Sequence, residues 1–195
     1  MTSPALALLE FSSIATGIEA GDAMIKRAPV ERIQSGTIQP GHYLVLVVGE
    51  VAPVEEAVKA GREVGQSTLL DLVYLPNVHP GVVTALGGDR EMGLAEALGV
   101  VETRTVAAAI LAADAGLKGA AVNLLQLRLG DGLGGKGLAL FGGLVADVEA
   151  AVEIALRKVG GQLHRQVIIS QLHDEMRQNV QAAVRFGDHF GWQPT

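Results

Sequence analysis

Cysteine is absent from this sequence of 195 residues. A chain without cysteine forms no disulfide bond and offers no thiolate to zinc, copper or an iron–sulfur cluster. Disulfide-stabilised scaffolds and cysteine-ligated metal proteins are therefore excluded as classes.

Aromatic residues, basic clusters and long apolar runs are also scarce. Aromatic residues make up 4% of the chain although hydrophobic residues make up 49%, so the apolar content is mainly aliphatic. The net charge is −6, and no dense Lys/Arg cluster is available to neutralise nucleic-acid phosphates. The apolar runs are of strand length, whereas a membrane-spanning helix needs about 20 apolar residues. Residues 1–4 lack the basic region of a secretory signal. We expect a soluble intracellular protein with no nucleic-acid or membrane partner.

What the sequence does contain is a repeat of roughly 90 residues. Residues 6–30 match residues 98–122 at an offset of 92, with 10 of 25 positions identical. Residues 41–58 match residues 135–152 at an offset of 94, with 10 of 18 positions identical. Charged residues recur in register, which a chance match between two segments rich in Ala and Val does not explain. The two extra residues of the second copy fall between the matched segments.

Both copies show the same order of predicted elements: strand, helix, strand, strand, helix, strand. In the first copy these cover residues 5–12, 14–28, 30–37, 43–49, from about Pro53 to Gly65, and 68–75. In the second copy they cover residues 97–104, 106–120, 122–129, 137–142, from about Asp147 to Gly160, and 163–169. This order is that of the ferredoxin-like fold, so the sequence predicts an α+β protein of two tandem domains. A short helix within the linker 76–97 and a C-terminal helix at 173–186 complete the prediction.

The first helix carries an apolar stripe. Ile14, Ile18 and Ile25 are spaced by four and seven residues, which predicts that they share one face.

The segment GDGLGGKG (130–137) fits two phosphate-binding motifs, G-x-x-x-x-G-K and G-x-G-x-x-G. Both motifs work by placing backbone N–H groups at the N-terminus of a helix. Here a predicted strand follows, and residue 137 is Gly instead of the Ser or Thr that would bind Mg²⁺. The equivalent loop of the first copy does not repeat the motif. We interpret the segment as a tight hairpin loop.

Histidines and carboxylates give no catalytic pattern. The histidines lie at positions 42, 79, 164, 173 and 189, without the i, i+4 spacing of a helical zinc site. Glu10 and Glu102 occupy matched positions within strands, and a repeat would place such a pair far apart. We interpret them as structural carboxylates that bind backbone N–H groups or a neighbouring subunit.

Lys26 and Lys118 end the first helix of each copy in the pattern D-A-x-x-K-x-A. A lysine at this position stabilises the C-terminus of a helix electrostatically. Recurrence of the whole pattern also suggests a repeated contact at an edge.

The repeat resembles the bacterial microcompartment shell family. The resemblance lies in LALLEFSSIATGIEAGDAMIKRA with its counterpart VVETRTVAAAILAADAGLKGA, and in VVGEVAPVEEAV with FGGLVADVEAAV. It covers residues 5–175. Two copies in one chain are similar to the tandem-domain class, in its non-permuted order because the helix that ends in lysine comes early in each copy. The resemblance implies a first shell domain at 4–92, a second at 96–187 and a C-terminal tail at 188–195.

The resemblance implies a structural protein and not an enzyme. Tandem-domain members form trimers of pseudo-sixfold symmetry, which pack edge to edge with other shell proteins around enclosed enzymes. We therefore expect a homotrimeric tile in the shell of a cytoplasmic microcompartment, with a central pore for small metabolites. Lys26 and Lys118 are implied as contacts at the tile edge. The pore is implied to be lined by Ile38, Gln39, Pro40, Gly132, Leu133 and Gly134.

One tandem subclass looks especially similar, because it shares the pattern TI-x-PG before a strand. In that subclass residue x is a cysteine, and three copies hold an iron–sulfur cluster on the axis. Here the residue is Gln39. Clusters are held by thiolates or imidazoles and not by neutral amides, so we expect no cluster and no other cofactor. The segments PNVHPG (76–81) and SQLHDE (170–175) also lack an arginine that the family commonly carries there.

Two other functions remain open. Duplicated ferredoxin-like domains also serve as sensors that bind small metabolites between domains, and the fold alone does not decide between these functions. A nucleotide-dependent enzyme would require phosphate binding by the glycine-rich loop. Sheet formation at rising protein concentration would favour the tile, whereas a soluble oligomer with a stoichiometric ligand would favour the sensor.

Overall fold

The structure, a computed structural model, describes residues 4–88 and 96–182. The first half contains β1 (Ala5–Phe11), α1 (Ile14–Arg27), β2 (Arg32–Ile38), β3 (His42–Gly49), α2 (Val51–Gly65), β4 (Leu69–Leu75) and α3 (Pro80–Leu86). The second half contains β5 (Ala97–Thr103), α4 (Val106–Gly119), β6 (Asn123–Leu129), β7 (Gly137–Gly143), α5 (Val145–Val159), β8 (Leu163–Ile169) and α6 (Asp174–Ala182). The predicted order of elements is confirmed in both copies.

Each half folds into one antiparallel sheet. The strand orders are β2-β3-β1-β4 and β6-β7-β5-β8, which is the arrangement of the ferredoxin-like fold. The strand registers also correspond. Glu10 lies opposite Asp71 in the first sheet, and Glu102 lies opposite Arg165 in the second. Residues of the two copies can therefore be compared position by position.

A hydroxyl side chain begins the first helix of each copy. Ser13 Oγ accepts a hydrogen bond from the Thr16 N–H, and Thr105 Oγ1 accepts one from the Ala108 N–H, each at 3.3 Å. Such capping satisfies an N–H group that has no partner inside the helix.

The second helices begin two residues earlier than predicted, at Val51 and Val145. Pro53 and Asp147 therefore lie in the first turn. A proline is tolerated there because the missing N–H would have no partner within the helix, and Asp147 is favourable near the positive end of the helix dipole.

The first helices of the two copies differ in burial. In α1 the side facing the sheet consists of Gly17, Ala20, Gly21 and Met24. The predicted stripe of Ile14, Ile18 and Ile25 lies on the opposite side, with exposed fractions of 40%, 54% and 52%. In α4 ten of the 14 residues are buried, including Val106 and Ile110 at the positions of Ile14 and Ile18.

Helix α4 is buried on both sides because it lies between the two sheets. One side contacts β5, β6 and β7 of its own sheet, and the other contacts β1 and β4 of the first sheet. The outer face of the first sheet contributes Leu6, Leu8 and Val73 to the same hydrophobic cluster as Ile110. The two halves of the chain therefore share one core.

The segments after β4 and β8 each form a helix. The short helix predicted in the linker is α3, and it packs against α4 and β6. The C-terminal helix is α6, where Val180 packs against Leu98, Leu125 and Leu140 on the outer face of the second sheet. The predicted end of this helix at 186, the ends of the predicted domains at 92 and 187, and the tail at 188–195 lie outside the described residues.

Candidate functional site

The two hairpin loops lie side by side. A methyl group at Gly135 would lie 3.0 Å from Pro40 Cδ and 3.3 Å from the carbonyl oxygen of Gln39. A methyl group at Gly130 would lie 2.6 Å from Ile38 Cδ1. The structure thus places Ile38, Gln39 and Pro40 of the first loop beside Gly130 and Gly135, which flank the residues 132–134 that the resemblance implies for the pore. Among those residues, Ile38 and Leu133 are partly buried, and the exposed ones are Gln39, Pro40, Gly132 and Gly134.

The glycines of the second loop are explained by backbone geometry. Gly130 and Gly135 have φ values of 75° and 84°, in the left-handed region that side chains disfavour. The segment that follows the loop is the strand β7, which confirms the interpretation as a hairpin. The loop therefore does not lead into a helix N-terminus, as both phosphate-binding motifs require.

Glu10 is buried at the junction of the two halves. Its Oε2 accepts a hydrogen bond from the Val106 N–H at 2.8 Å, and its Oε1 lies 3.0 Å from His42 Nδ1. Burial raises the pKa of Glu10, although the N–H groups of Val106 and Ala107 and the ring of His42 act to lower it. The predicted role of Glu10 as a structural carboxylate that binds backbone N–H groups is confirmed. The contact links the first hairpin loop to the start of α4.

Glu102 occupies the corresponding position in the second sheet. Its Oε1 accepts a hydrogen bond from Lys136 Nζ, and Lys136 stands where the first copy has His42. Its Oε2 lies 3.9 Å from His164 Nε2. In residues 4–88 and 96–182, Glu102 accepts no hydrogen bond from the N-terminus of a helix.

A second polar contact joins the two halves near the end of α4. Asp114 Oδ1 accepts a hydrogen bond from the His79 N–H at 2.8 Å, and its Oδ2 accepts one from Lys118 Nζ at 2.7 Å. Lys118 Nζ also donates to the carbonyl oxygen of Asn77. The pattern D-A-x-x-K therefore holds the segment that follows β4.

The same pattern in α1 lies on the surface. Lys26 Nζ lies 2.5 Å from Asp22 Oδ2, and their side chains are 74% and 58% exposed. The buried Asp114 side chain is 6% exposed. The recurrence of the pattern indicated a repeated contact, but the partner segment of Asp114 is 35 residues away along the chain and could not be inferred from spacing.

Two of the five histidines have matched structural roles. His79 Nδ1 accepts a hydrogen bond from the Gly81 N–H at the start of α3, and His173 Nδ1 accepts one from the Glu175 N–H at the start of α6. Within the described ranges, no three His, Asp or Glu side chains converge as a metal site would require. In the same ranges, no helix combines the length and the apolar character needed to cross a bilayer.

Comparison with known proteins identifies the repeated unit. The BMC domain family model matches residues 5–78 and again residues 97–172. The bacterial microcompartment shell protein PduT of Citrobacter freundii is 40% identical over 182 residues, which cover 92% of this chain and 99% of that protein. The chain belongs to the bacterial microcompartment shell proteins. This family is structural and not enzymatic, so the expectation that the chain is not an enzyme is confirmed.

Two further comparisons describe this shell protein. A crystal structure of a microcompartment protein from Desulfitobacterium hafniense superposes with a TM-score of 0.79 at 39% identity, covering 90% of this chain and 99% of that one. The carboxysome shell protein CsoS1 of Prochlorococcus marinus is 35% identical over 92 residues, which are 46% of this chain and 89% of that protein. The two halves of this chain thus correspond to two shell domains joined in tandem, which confirms the predicted class.

Proposed function

We propose that three copies of this shell protein close into a ring of six similar domains, and that the ring is one tile of a microcompartment shell. The observation that carries the proposal is the contact between the two halves of one chain. In that contact α4 covers the outer face of the first sheet, and Ile110 is fully buried. The equivalent surface of α1 presents Ile18 to solvent with 54% exposure.

The complementary surface is exposed along β8, whereas α6 covers the part of the same face around Leu98. Val73, on the outer face of the first sheet, is 3% exposed beneath α4, whereas its counterpart Val167 on the second sheet is 46% exposed. A chain with α1 uncovered at one end and β8 uncovered at the other can bind a second copy head to tail. Such a contact repeated in one geometry closes into a ring, and the tandem class implies three copies.

The pore lies where the hairpin loops meet. In a closed ring the loops of the three copies would surround the axis, alternating between residues 39–41 and 130–136. They would present the Gln39 amide, Leu133 and backbone groups, which suit the passage of small polar metabolites. Selectivity would depend on the diameter and on hydrogen-bonding groups, as in other pores. An exposed amide at Gln39 and the absence of cysteine do not fit an axial iron–sulfur cluster.

Lys26 and Lys118 are proposed as contacts between neighbouring tiles. Both lie at the ends of corresponding helices, and the Lys118 side chain is 41% exposed although it also contacts Asn77. Other shell proteins would meet the tile at these edges, and enclosed enzymes would lie behind one of its faces.

Light scattering and electron cryomicroscopy of the purified protein test the proposal. We expect a particle three times the mass of the 20.2 kDa chain, with Gln39 within about 15 Å of a threefold axis, given a loop reach of about 3.4 Å per residue. A monomer, or a ring with Gln39 on its outer rim, would contradict the proposal.

Replacement of the lysines tests the tile edge. Electron microscopy of the overexpressed wild-type protein is expected to show extended sheets. Lys26→Ala is expected to leave the trimer intact and to abolish these sheets. Lys59→Ala is a matched control, because Lys59 pairs with Glu55 and Glu56 on the exposed side of α2. If the Lys26→Ala protein formed unchanged sheets, this lysine would not be a contact between neighbouring tiles.

A further inference from the structure

We infer that Glu102 binds the N-terminus of α1 of the next protomer and so anchors one subunit to another. The inference rests on the proposed ring and adds to it a specific polar site. The in-chain contact supplies the geometry, because Glu10 Oε2 accepts the Val106 N–H of α4 at 2.8 Å. Residues 102 and 14 are the positions that correspond to 10 and 106 in the two copies.

The single chain already contains both partners of this contact, the Glu102 carboxylate and the N-terminus of α1. Glu102 Oε1 is bound to Lys136, as Glu10 Oε1 is bound to His42, so the same oxygen of each carboxylate holds the hairpin residue. The Glu102 side chain is 28% exposed, and its Oε2 lies 3.9 Å from His164 Nε2. Among the described residues, no hydrogen-bond donor lies on this oxygen.

The N-terminus of α1, which would meet Glu102, is capped in the same way as that of α4. Ser13 Oγ caps the Thr16 N–H in α1 as Thr105 Oγ1 caps the Ala108 N–H in α4. In the described part of the chain the Ile14 N–H has no acceptor. A carboxylate is the group that the positive end of a helix dipole favours. In the proposed ring, Glu102 of a second copy supplies this carboxylate.

The neighbouring contact changes its chemistry between the copies. Within the chain, Thr105 Oγ1 donates to Asp71 Oδ2. At the junction between chains the corresponding residues are Ser13 and Arg165, so a serine oxygen would accept from a guanidinium. The replacement of Asp71 by Arg165 sets a cation beside Glu102 in the second sheet. Each junction therefore pairs a hydroxyl group with a charged side chain: Thr105 with Asp71 inside the chain, and Ser13 with Arg165 between chains.

A cross-linking experiment tests the placement of α1 independently of Glu102. The chain has no cysteine, so a protein carrying Ser13→Cys and Arg165→Cys has thiols at these two positions alone. Oxidation is expected to produce covalent dimers and trimers on a denaturing gel. The pair Ser13→Cys with Arg157→Cys is the control, since Arg157 lies on the exposed side of α5 and pairs with Glu153. It is expected to give no covalent trimer.

The substitution Glu102→Gln tests the anchor itself. We expect the protein concentration at half-dissociation of the trimer to rise by about tenfold, because the charged acceptor of the Ile14 N–H becomes a neutral amide at each junction. Amide exchange at Ile14 is expected to accelerate in the same protein. Glu149→Gln, an exposed carboxylate on α5, is the matched control and should change neither quantity.

The outcomes separate the inference from the proposed function. A wild-type protein that is monomeric overturns both. Covalent trimers together with unchanged dissociation and unchanged Ile14 exchange in the Glu102→Gln protein overturn the anchor alone and leave the ring standing.

Discussion

At the scale of single residues, matched positions of the two copies differ in their surroundings even where the residue is the same. Glu10 and Glu102 are identical, yet one is buried against a helix and the other is 28% exposed. The sequence predicted a structural carboxylate from its recurrence inside strands. It could not name the partner, because Val106 lies 96 residues along the chain. A contact of that separation depends on the docking of two domains and leaves no local pattern.

The pH dependence of stability follows from the environment of Glu10. Burial raises its pKa in the folded chain above the ordinary value of 4.5, so the folded state binds the proton more tightly than the unfolded state. Stability from this group is fully present below pH 4.5 and is lost as the pH rises through the raised pKa. Each tenfold difference in proton affinity between the two states corresponds to about 1.4 kcal/mol. Glu10→Gln removes this dependence.

Urea unfolding measured from about pH 4.5 to about pH 8 checks this expectation. The free energy of unfolding should fall less steeply with rising pH in the Glu10→Gln protein than in the wild type. Glu149→Gln should retain the wild-type slope, since this residue is exposed. Equal slopes in all three proteins would show that the raised pKa of Glu10 is not expressed in stability.

At the scale of elements, the sequence predicted the type and order of the α-helices and β-strands that the structure describes, but not the 3-10 turn at residues 160–162. It placed most boundaries within one or two residues of those in the structure. The burial of the first helix was not predictable in the same way. Ile14, Ile18 and Ile25 satisfy the pattern of a core-facing stripe, whereas the side of α1 against its own sheet is built from Gly and Ala with Met24. Apolar periodicity shows which residues share one face of a helix, and does not show what that face contacts.

Helices α1 and α4 offer a matched pair of isoleucines. Ile110→Ala in the shared core is expected to lower the free energy of unfolding by about 2–5 kcal/mol, because it leaves a cavity. Ile18→Ala removes a side chain that is 54% exposed in the chain, and surface substitutions of this kind change stability by about 0.5 kcal/mol or less. Its effect is expected on association instead.

Two measurements distinguish the isoleucines. Urea unfolding of the dissociated chain should detect Ile110→Ala, and sedimentation of a dilution series should detect Ile18→Ala as a trimer that dissociates at higher protein concentration. If Ile18→Ala left association unchanged, α1 would not be the surface that a second copy covers.

At the scale of the whole molecule, the interface between the two halves of one chain is equivalent, in the proposed ring, to the interface between neighbouring chains. One copy of each contact lies inside the chain: Glu10 binds the first N–H group of α4, and Asp114 binds the His79 N–H before α3. In the part of the chain that the structure describes, the corresponding residues Glu102 and Asp22 bind only nearby side chains, Lys136 and Lys26. The aspartate of the D-A-x-x-K pattern should then stabilise the fold in one half of the molecule and the trimer in the other.

The aspartates of the D-A-x-x-K pattern test this division. Asp114→Asn weakens the acceptor of the His79 N–H and of Lys118 inside the chain, so it should lower the free energy of unfolding by about 1–3 kcal/mol. Asp22→Asn leaves a side chain that is exposed and bound to Lys26, so unfolding of the chain should be unchanged. In the trimer Asp22 would correspond to Asp114 and would accept the His173 N–H of the next protomer. Sedimentation should therefore show easier dissociation of the Asp22→Asn trimer. Identical effects of the two substitutions on unfolding would contradict the separation of the two interfaces.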